Sequence, residues 1–453
     1  MNNKIILTEE LKIVDLFENT NKEFGFETED NQSQFYIDEN KYILETKIDS
    51  KKTNMGEISM DGKCFNFDTF EILINSSLQK SWNYIDPILI NVFDFQEKHF
   101  KAVDKYYRCI IPNLKSMRFD LNFCSDLIIN IDSADTIYSM NGISFKIDEN
   151  ECILFYDKDK LIFQCNEKII FKKFYDISII ALSVVGYING YCPKERAYIF
   201  EYDDLNERYK TFRCNLQLGK IFKTSFNIID GNPYSYRKNS EQNGFNPMEG
   251  LEEQLGRISK LVFEKLCDFI LNNKEFESAF YSLLEITNTN TITPLHNAMF
   301  CVVLETLTNM IAKENEDKIS WHSDKKIKRT HRDKLLESSK QFFEENDIQN
   351  FEESYIKGKI NDIDKIPNSV SLKKPFEILK ISLSKKEEEM LKKRNNFLHG
   401  RHAYELDETQ QFLFEYRTLN FIINALILRY VGFSGIVLNL NKDIEGEERY
   451  KVL

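Results

Sequence analysis

The hydrophobic period of this chain changes once, and that change decides how the chain divides. From about residue 30 to 230, aromatic and β-branched residues come in short runs; beyond residue 250, apolar residues recur at threes and fours. The first pattern belongs to strands and the second to helices. Between them, DGNPYSYRKNSEQNGFNPMEG (Asp230 to Gly250) combines Gly, Pro, Asn and Ser with few aliphatics, as a linker does. The expected class is α+β: a mostly β domain over residues 1–235, an all-α helical bundle over 250–435, and a C-terminal tail over 436–453. At 453 residues the chain can bury two cores.

Local signals place the elements. ISFKIDENECILFYDKDKLIFQCNEKIIFKKF holds four apolar runs separated by polar turns, which predicts a meander of antiparallel strands. DISIIALSVVGYING predicts a helix capped by Asp176 and ended at Gly190. After the linker, LEEQLGRISKLVFEKLCDFILN predicts the first bundle helix, and Thr293-Pro294 opens a second as N-cap and first-turn proline. FESAFYSLLEIT is a shorter segment between them. Residues 315–380 read as an insertion with a charged helix near HRDKLLESSKQFFEEN. Ser384 and Glu387 form a capping-box pattern that starts a helix at Lys385, and a last long helix runs from about Asp407 to Val431. Four long helices with inserted pieces make a bundle.

Composition excludes several classes. A net charge of −12 argues against non-specific coating of nucleic acid but leaves room for a local basic site. The nine cysteines stand singly with no C-x-x-C, so a zinc site has no support, and their odd count suits a reducing cytoplasm; no cofactor is expected. The N-terminal residues lack a signal peptide's apolar core, and Phe412 to Phe433 is interrupted by Glu415, Arg417, Asn420, Asn424 and Arg429. No membrane span is therefore expected. Phosphate-binding glycine loops, G-x-S-x-G and calcium-loop spacing are all missing from the sequence.

The densest chemistry lies in KKRNNFLHGR, Lys392 to Arg401. Arg394 stays charged and can fork onto two phosphate oxygens. His399 titrates near neutrality, as a general acid or base should. Asn395 is four residues before His399 on the same helical face and can set its tautomer. Arg394 and His399 are five residues apart, about 140° around an ideal helix. Gly400 can end the helix and let the imidazole swing back. Against RNA, which brings its own 2′-OH nucleophile, a base, an acid and a cation suffice without metal. One motif offers one histidine, so two copies across a dimer would complete the set.

RNNFLH resembles the R-x4–6-H signature of HEPN ribonucleases, and its place late in a helical bundle matches that family. The trailing Gly400 and the long non-helical region ahead are similar to ApeA-like phage-defence proteins. The resemblance implies a metal-independent endoribonuclease that leaves 2′,3′-cyclic phosphate ends and acts as a dimer. Arg394 and His399 would be catalytic and Asn395 supporting. It also implies tRNA as substrate and a role in abortive infection. Because an unrestrained ribonuclease would poison its host, the N-terminal domain is expected to restrain it or to sense a phage-derived activator.

Other residues have readings of their own. KKIKRTHRDK is the densest basic cluster: Lys325, Lys326, Lys328, Arg329 and Arg332 could track an RNA backbone, joined by Lys393 and Arg401 beside the motif. A solvated helix start explains the same cluster structurally. Glu388 with Lys392, and Glu389 with Lys393, are spaced as helix pairs. His399 and His402 are too few for a metal site. In the purely structural alternative, Arg394 is an exposed arginine paired with Glu389 and His399 caps the helix. The bundle is then a catalytically silent module that dimerises and binds RNA or protein.

Overall fold

Strands that are apolar on both sides need cover on both faces, and the computed structural model shows how this chain provides it. The structure describes residues 4–19, 25–28, 33–38, 41–46, 64–66, 70–73, 88–92, 94–97, 104–112, 127–133, 136–157, 159–192, 196–215, 222–223, 258–288, 292–319, 324–346, 352–362, 368–398, 409–438, 441 and 450–453. The expected linker, Asp230 to Gly250, lies outside them. The chain divides into two compact units, Met1–Leu271 and Asn272–Leu453.

The first unit opens with β1 (Lys4–Ile6), α1 (Thr8–Glu18), β2 (Phe26–Glu27), β3 (Ser33–Asp38), β4 (Lys41–Thr46), β5 (Cys64–Asn66) and β6 (Phe70–Leu73). It continues with β7 (Ile88–Val92), β8 (Asp94–Glu97), β9 (Tyr106–Ile111), β10 (Leu127–Ser133), β11 (Thr136–Ile147), β12 (Asn150–Asp157) and β13 (Lys160–Cys165). Then come α2 (Phe171–Asn189), β14 (Tyr191–Cys192), β15 (Ala197–Tyr202), β16 (Thr211–Asn215), β17 (Phe222–Lys223) and α3 (Lys260–Asn272). Eleven strands form one sheet in the order β1-β10-β11-β12-β13-β9-β15-β16-β8-β6-β5, and β2-β3-β4-β7 form a smaller one. The expected meander holds for three of its four runs, β11, β12 and β13. The fourth, IIFKKF, enters α2 instead: after Ile169 bridges to Lys105, Phe171 and Phe174 fall one helical turn apart and both pack on Tyr107. Asp176 therefore lies inside the helix rather than at its cap, while Gly190 ends it in the left-handed conformation, as expected.

One face of the large sheet is covered by α1. Its Phe17 sits among Phe26, Phe35, Phe95, Tyr198 and Phe212, so the helix lies between the two sheets. The other face is covered by α2 and α3, through Phe174 on Phe163 and Phe263 on Phe145. All six residues of β15 are buried as a result. The helix expected to open the bundle is thus α3, docked on the sheet within the first unit. An amphipathic stripe tells which side of a helix is buried, not what buries it.

Two carboxylates also sit on the buried face of α1. Glu10 takes Arg108 Nη1 at 2.8 Å and the Tyr202 hydroxyl; Arg108 itself is 1% exposed. The guanidinium also donates to Gln164 Oε1 at 2.9 and 2.7 Å and to the Ile6 carbonyl at 2.8 Å. One turn beyond Val14, Glu18 takes Arg196 at 3.2 Å and Tyr198 at 2.8 Å.

In the second unit, α4 (Lys274–Thr287) is capped by the Asn273 side chain and turns back into α5 (Pro294–Glu314). After α6 (Glu316–Ile319) come α7 (Lys325–Glu345), α8 (Glu353–Asp362), α9 (Asn368–Ile378), α10 (Lys385–Leu398) and α11 (Thr409–Tyr430). β18 (Ile436–Leu438) pairs with β19 (Tyr450–Val452), so the expected tail has structure of its own. The central helix is α5, which contacts α4, α9, α10 and α11. It is long and apolar enough to cross a membrane, but most of it is buried in the bundle. The segment FESAFYSLLEIT, as α4, fills the place that sequence reading gave to α3. Within the expected insertion, no described residue of α7 or α8 is buried, whereas α9 inserts Leu372 and Phe376 into the bundle.

Two measurements test this packing. Glu10→Ala strands a buried guanidinium and should lower the unfolding free energy by about 3–5 kcal/mol in urea titrations. Lys380 ends α9 with φ 58°, and the Ile381 N–H bonds the Phe376 carbonyl at 2.8 Å, where α11 places Gly432. Lys380→Gly should therefore raise stability by about 0.5–1 kcal/mol in the same assay.

Candidate functional site

The helix that carries the motif starts where its capping box predicts. The Ser384 N–H donates to Glu387 Oε2 at 2.8 Å, and the Glu387 N–H donates back to Ser384 Oγ at 3.3 Å. From there α10 turns by about 100° per residue, so neighbouring side chains meet different helices. Met390, Leu391 and Phe397 enter the core. Lys393 reaches α11, and Arg394 reaches α5.

Arg394 is hydrogen-bonded at one nitrogen, and a second, the buried Nε, is in ion-pair contact without hydrogen-bond geometry. Nε lies 2.6 Å from Glu305 Oε1, and Nη2 donates to Asn395 Oδ1 at 2.9 Å. No described group bonds Nη1. The Arg394 side chain is 11% exposed and that of Glu305 31%. It is thus neither an exposed helix arginine nor a partner of Glu389. One turn before Glu305, burial pushes the Cys301 thiol up to about 12; Arg394 opposes that rise and Glu305 adds to it. Cys301 is therefore no thiolate nucleophile near neutral pH. A planar cation anchored on two sides, with one edge left over, suits a bidentate or single-oxygen grip on an anion.

Lys393 has a different task from the one its sequence position suggests. Its Nζ lies 2.8 Å from Oε1 of Glu415, a fully buried carboxylate that also takes Gln411 at 2.7 Å. Glu388 pairs with Lys373 at 2.9 Å, which holds its carboxyl below the ordinary range. Both expected pairings along the helix thus give way to pairings between helices. His399, Gly400, Arg401 and His402 lie outside the described residues.

The basic cluster forms the first turns of α7. Asp324 caps it, accepting the Lys326 N–H at 2.7 Å, and Lys325 is the first helical residue. Lys326 and Arg329 are exposed and Arg332 is half-buried; Lys328 lies 3.3 Å from Glu316. The structure thus joins Arg394 to Asn395 directly, turns Lys393 toward α11, and carries the five basic residues on another helix.

Sequence reading missed one participant, Glu305, and one buried histidine. Glu305 is the only charged residue of α5 between Leu295 and Ala312, and a lone carboxylate in so apolar a helix is itself a signal. His296 sits at the third position of α5, where its Nδ1 accepts the Thr293 N–H at 2.8 Å. That bond puts the proton of the neutral ring on Nε2. His296 is buried against Tyr416, so its role here is structural. Among the described residues, no group of three or more His, Cys, Asp or Glu side chains is gathered as a metal would need.

The Lys393 pair gives a direct test. Lys393→Met leaves Glu415 buried with one donor fewer and should cost about 2 kcal/mol in urea titrations, below the full buried-pair penalty because the lysine is partly exposed. A Lys393→Met, Glu415→Leu double variant should recover part of that loss. No protein-family model, curated protein or solved structure matches the chain.

Proposed function

We propose that the helical unit is a metal-independent endoribonuclease of the HEPN type that cuts RNA in single-stranded loops, with tRNA the foremost substrate. The observation that carries the reading is the guanidinium of Arg394 set against Glu305 and Asn395, five residues before His399 in the sequence. His399 would take the proton of a 2′-OH, which attacks the adjacent phosphorus. The 5′-oxygen would leave with a proton from an imidazolium, closing a 2′,3′-cyclic phosphate. Arg394 would neutralise the phosphorane through Nη1, while Glu305 and Asn395 hold its plane.

The second imidazole would come from a second copy. Along α5, Leu295, Met299 and Val302 are exposed at helical spacing, 67%, 39% and 54%, on the helix that also carries Glu305. An apolar strip on the helix that pairs with Arg394 suits a two-fold contact that would bring two motifs to one cleft. The basic start of α7 would hold the RNA backbone. The β-rich unit would restrain the nuclease or sense an activator of phage origin in the cytoplasm, since an unrestrained ribonuclease poisons its host.

A second reading has an observation of its own. An arginine drawn into an interhelical ion pair and mostly buried is also what a silent dimerising or RNA-binding module would show.

Purified protein with total tRNA in EDTA separates the two. Product carrying 2′,3′-cyclic phosphate ends, with a rate that falls about 10²–10⁴-fold in His399→Ala, is the expected result. Cleavage that survives this substitution removes the reading. RNA binding without product, in both the parent and Arg394→Ala, favours the silent module. Val302→Glu should shift the chain toward monomer in sedimentation velocity and remove cleavage with it.

A further inference from the structure

Cys152 and Cys165, far from the proposed nuclease motif in sequence, face each other across the β12–β13 ladder. The Asn166 N–H donates to the Glu151 carbonyl at 2.8 Å, which makes the neighbouring pair 151/166 the hydrogen-bonded one. The next pair, Cys152/Cys165, therefore occupies a non-hydrogen-bonded site, where opposed side chains come closest, with Cα atoms roughly 4.5 Å apart. That separation falls within the range disulfides adopt. Both cysteines are free and buried, on the sheet face covered by α2 and α3.

We propose that Cys152 and Cys165 are a reversible dithiol–disulfide site, closed by a two-electron oxidant of the hydroperoxide class. The Cys165 thiolate attacks one peroxide oxygen, giving a sulfenic acid and releasing water after protonation. The Cys152 sulfur then displaces the sulfenic hydroxyl as a second water and forms the S–S bond. Two thiols lose two electrons in all, and one hydrogen peroxide becomes two waters. The order follows from the surroundings. Lys173 acts on Cys165 in favour of its thiolate, while Cys152 donates its S–H to the Asn150 carbonyl at 3.7 Å. Cys267, on α3, is near enough to act on Cys152 and competes with Cys165 for the link. Access comes through local opening of the α3 edge, whose bonds to the β11–β12 hairpin, Lys146 N–H to Glu264 and Asp148 N–H to Asp268, are exposed to water.

The test uses the folded, fully reduced chain, hydrogen peroxide, an acid quench, alkylation of remaining thiols, and digestion without reductant. Mass spectrometry should find peptides 152 and 165 linked, the link lost with dithiothreitol and kept in Cys267→Ala. In Cys152→Ala, Cys165 should be trapped by dimedone as the sulfenic acid. A link from Cys267 to either partner, or a 152–165 link seen only after unfolding in urea, overturns the proposal. So does recovery of both thiols alkylated after peroxide treatment, a result read from the wild-type chain whether or not a variant folds.

Discussion

A guanidinium and a carboxylate withdrawn almost wholly from water hold α1 against the large sheet. Burying Arg108 and Glu10 carries a desolvation cost of several kcal/mol per ion, and the pair offsets it only because the remaining hydrogen-bonding capacity is nearly filled. Gln164, Tyr202 and the Ile6 carbonyl supply that capacity from β13, β15 and the end of β1. Hydrophobic contact alone would let an amphipathic helix slide or rotate over a flat apolar face. A charged network with fixed partners on three strands has one solution. The second carboxylate, Glu18 with Arg196 and Tyr198, sits two turns further on and removes the remaining freedom to pivot. Once α1 is set, Phe17 fixes the smaller sheet through Phe26 and Phe35, and the strands between have both faces covered.

The helical unit applies the same physics with less burial and another outcome. Its charges at α10 leave the helix in different directions, Lys393 to α11 and Arg394 to α5, so one turn of sequence braces the helix on two neighbours. Lys393 ends on a fully buried carboxylate and is committed to the bundle. Arg394 ends on a carboxylate about a third exposed, and its plane is shared with a surface asparagine. The difference lies in the carboxylates, since Arg394 is itself the more enclosed cation, 11% exposed against 35% for Lys393; on the proposed reading its Nη1 would receive the anion. In the proposed reaction the ion pair acts as orientation: a guanidinium held at Nε and Nη2 loses little further freedom when phosphate binds.

Signals contained within a turn or two of chain were legible in the sequence. The Ser384 and Glu387 capping box, Pro294 at the start of α5, Gly190 at the end of α2 and the three hairpin strands all depend on neighbours a few residues away. The change of period correctly separated a mostly β region from a helical one. Partners remote in sequence were not legible. Nothing in LVFEKLCDFILN says whether its apolar stripe meets helices or a sheet. IIFKKF fits a strand until Tyr107 is known to lie beneath Phe171 and Phe174. The Cys152–Cys165 apposition depends on strand register, which a search for closely spaced cysteines does not see. The site was half legible: Arg394 and Asn395 stand out by type, but Glu305 becomes meaningful only when α5 is known to run beside α10.

The start of α7 is the least economical part of the helical unit as structure. Lys325, Lys326, Lys328 and Arg329 crowd the end where the helix dipole is positive, a placement that disfavours the helix by several tenths of a kcal/mol per charge. Asp324 returns part of that through its cap. No described residue of α7 is buried, so packing returns little more. A helix that opposes its own dipole and contributes little to a core is poorly explained by stability of the free chain. On the proposed reading the opposition has a use: exposed basic residues fixed on a helix keep a constant spacing, and a polyanion laid along them relieves the repulsion that the dipole adds. The chain as a whole is acidic, so on that reading such a patch would also limit where RNA settles, and binding would depend strongly on ionic strength through the same charges.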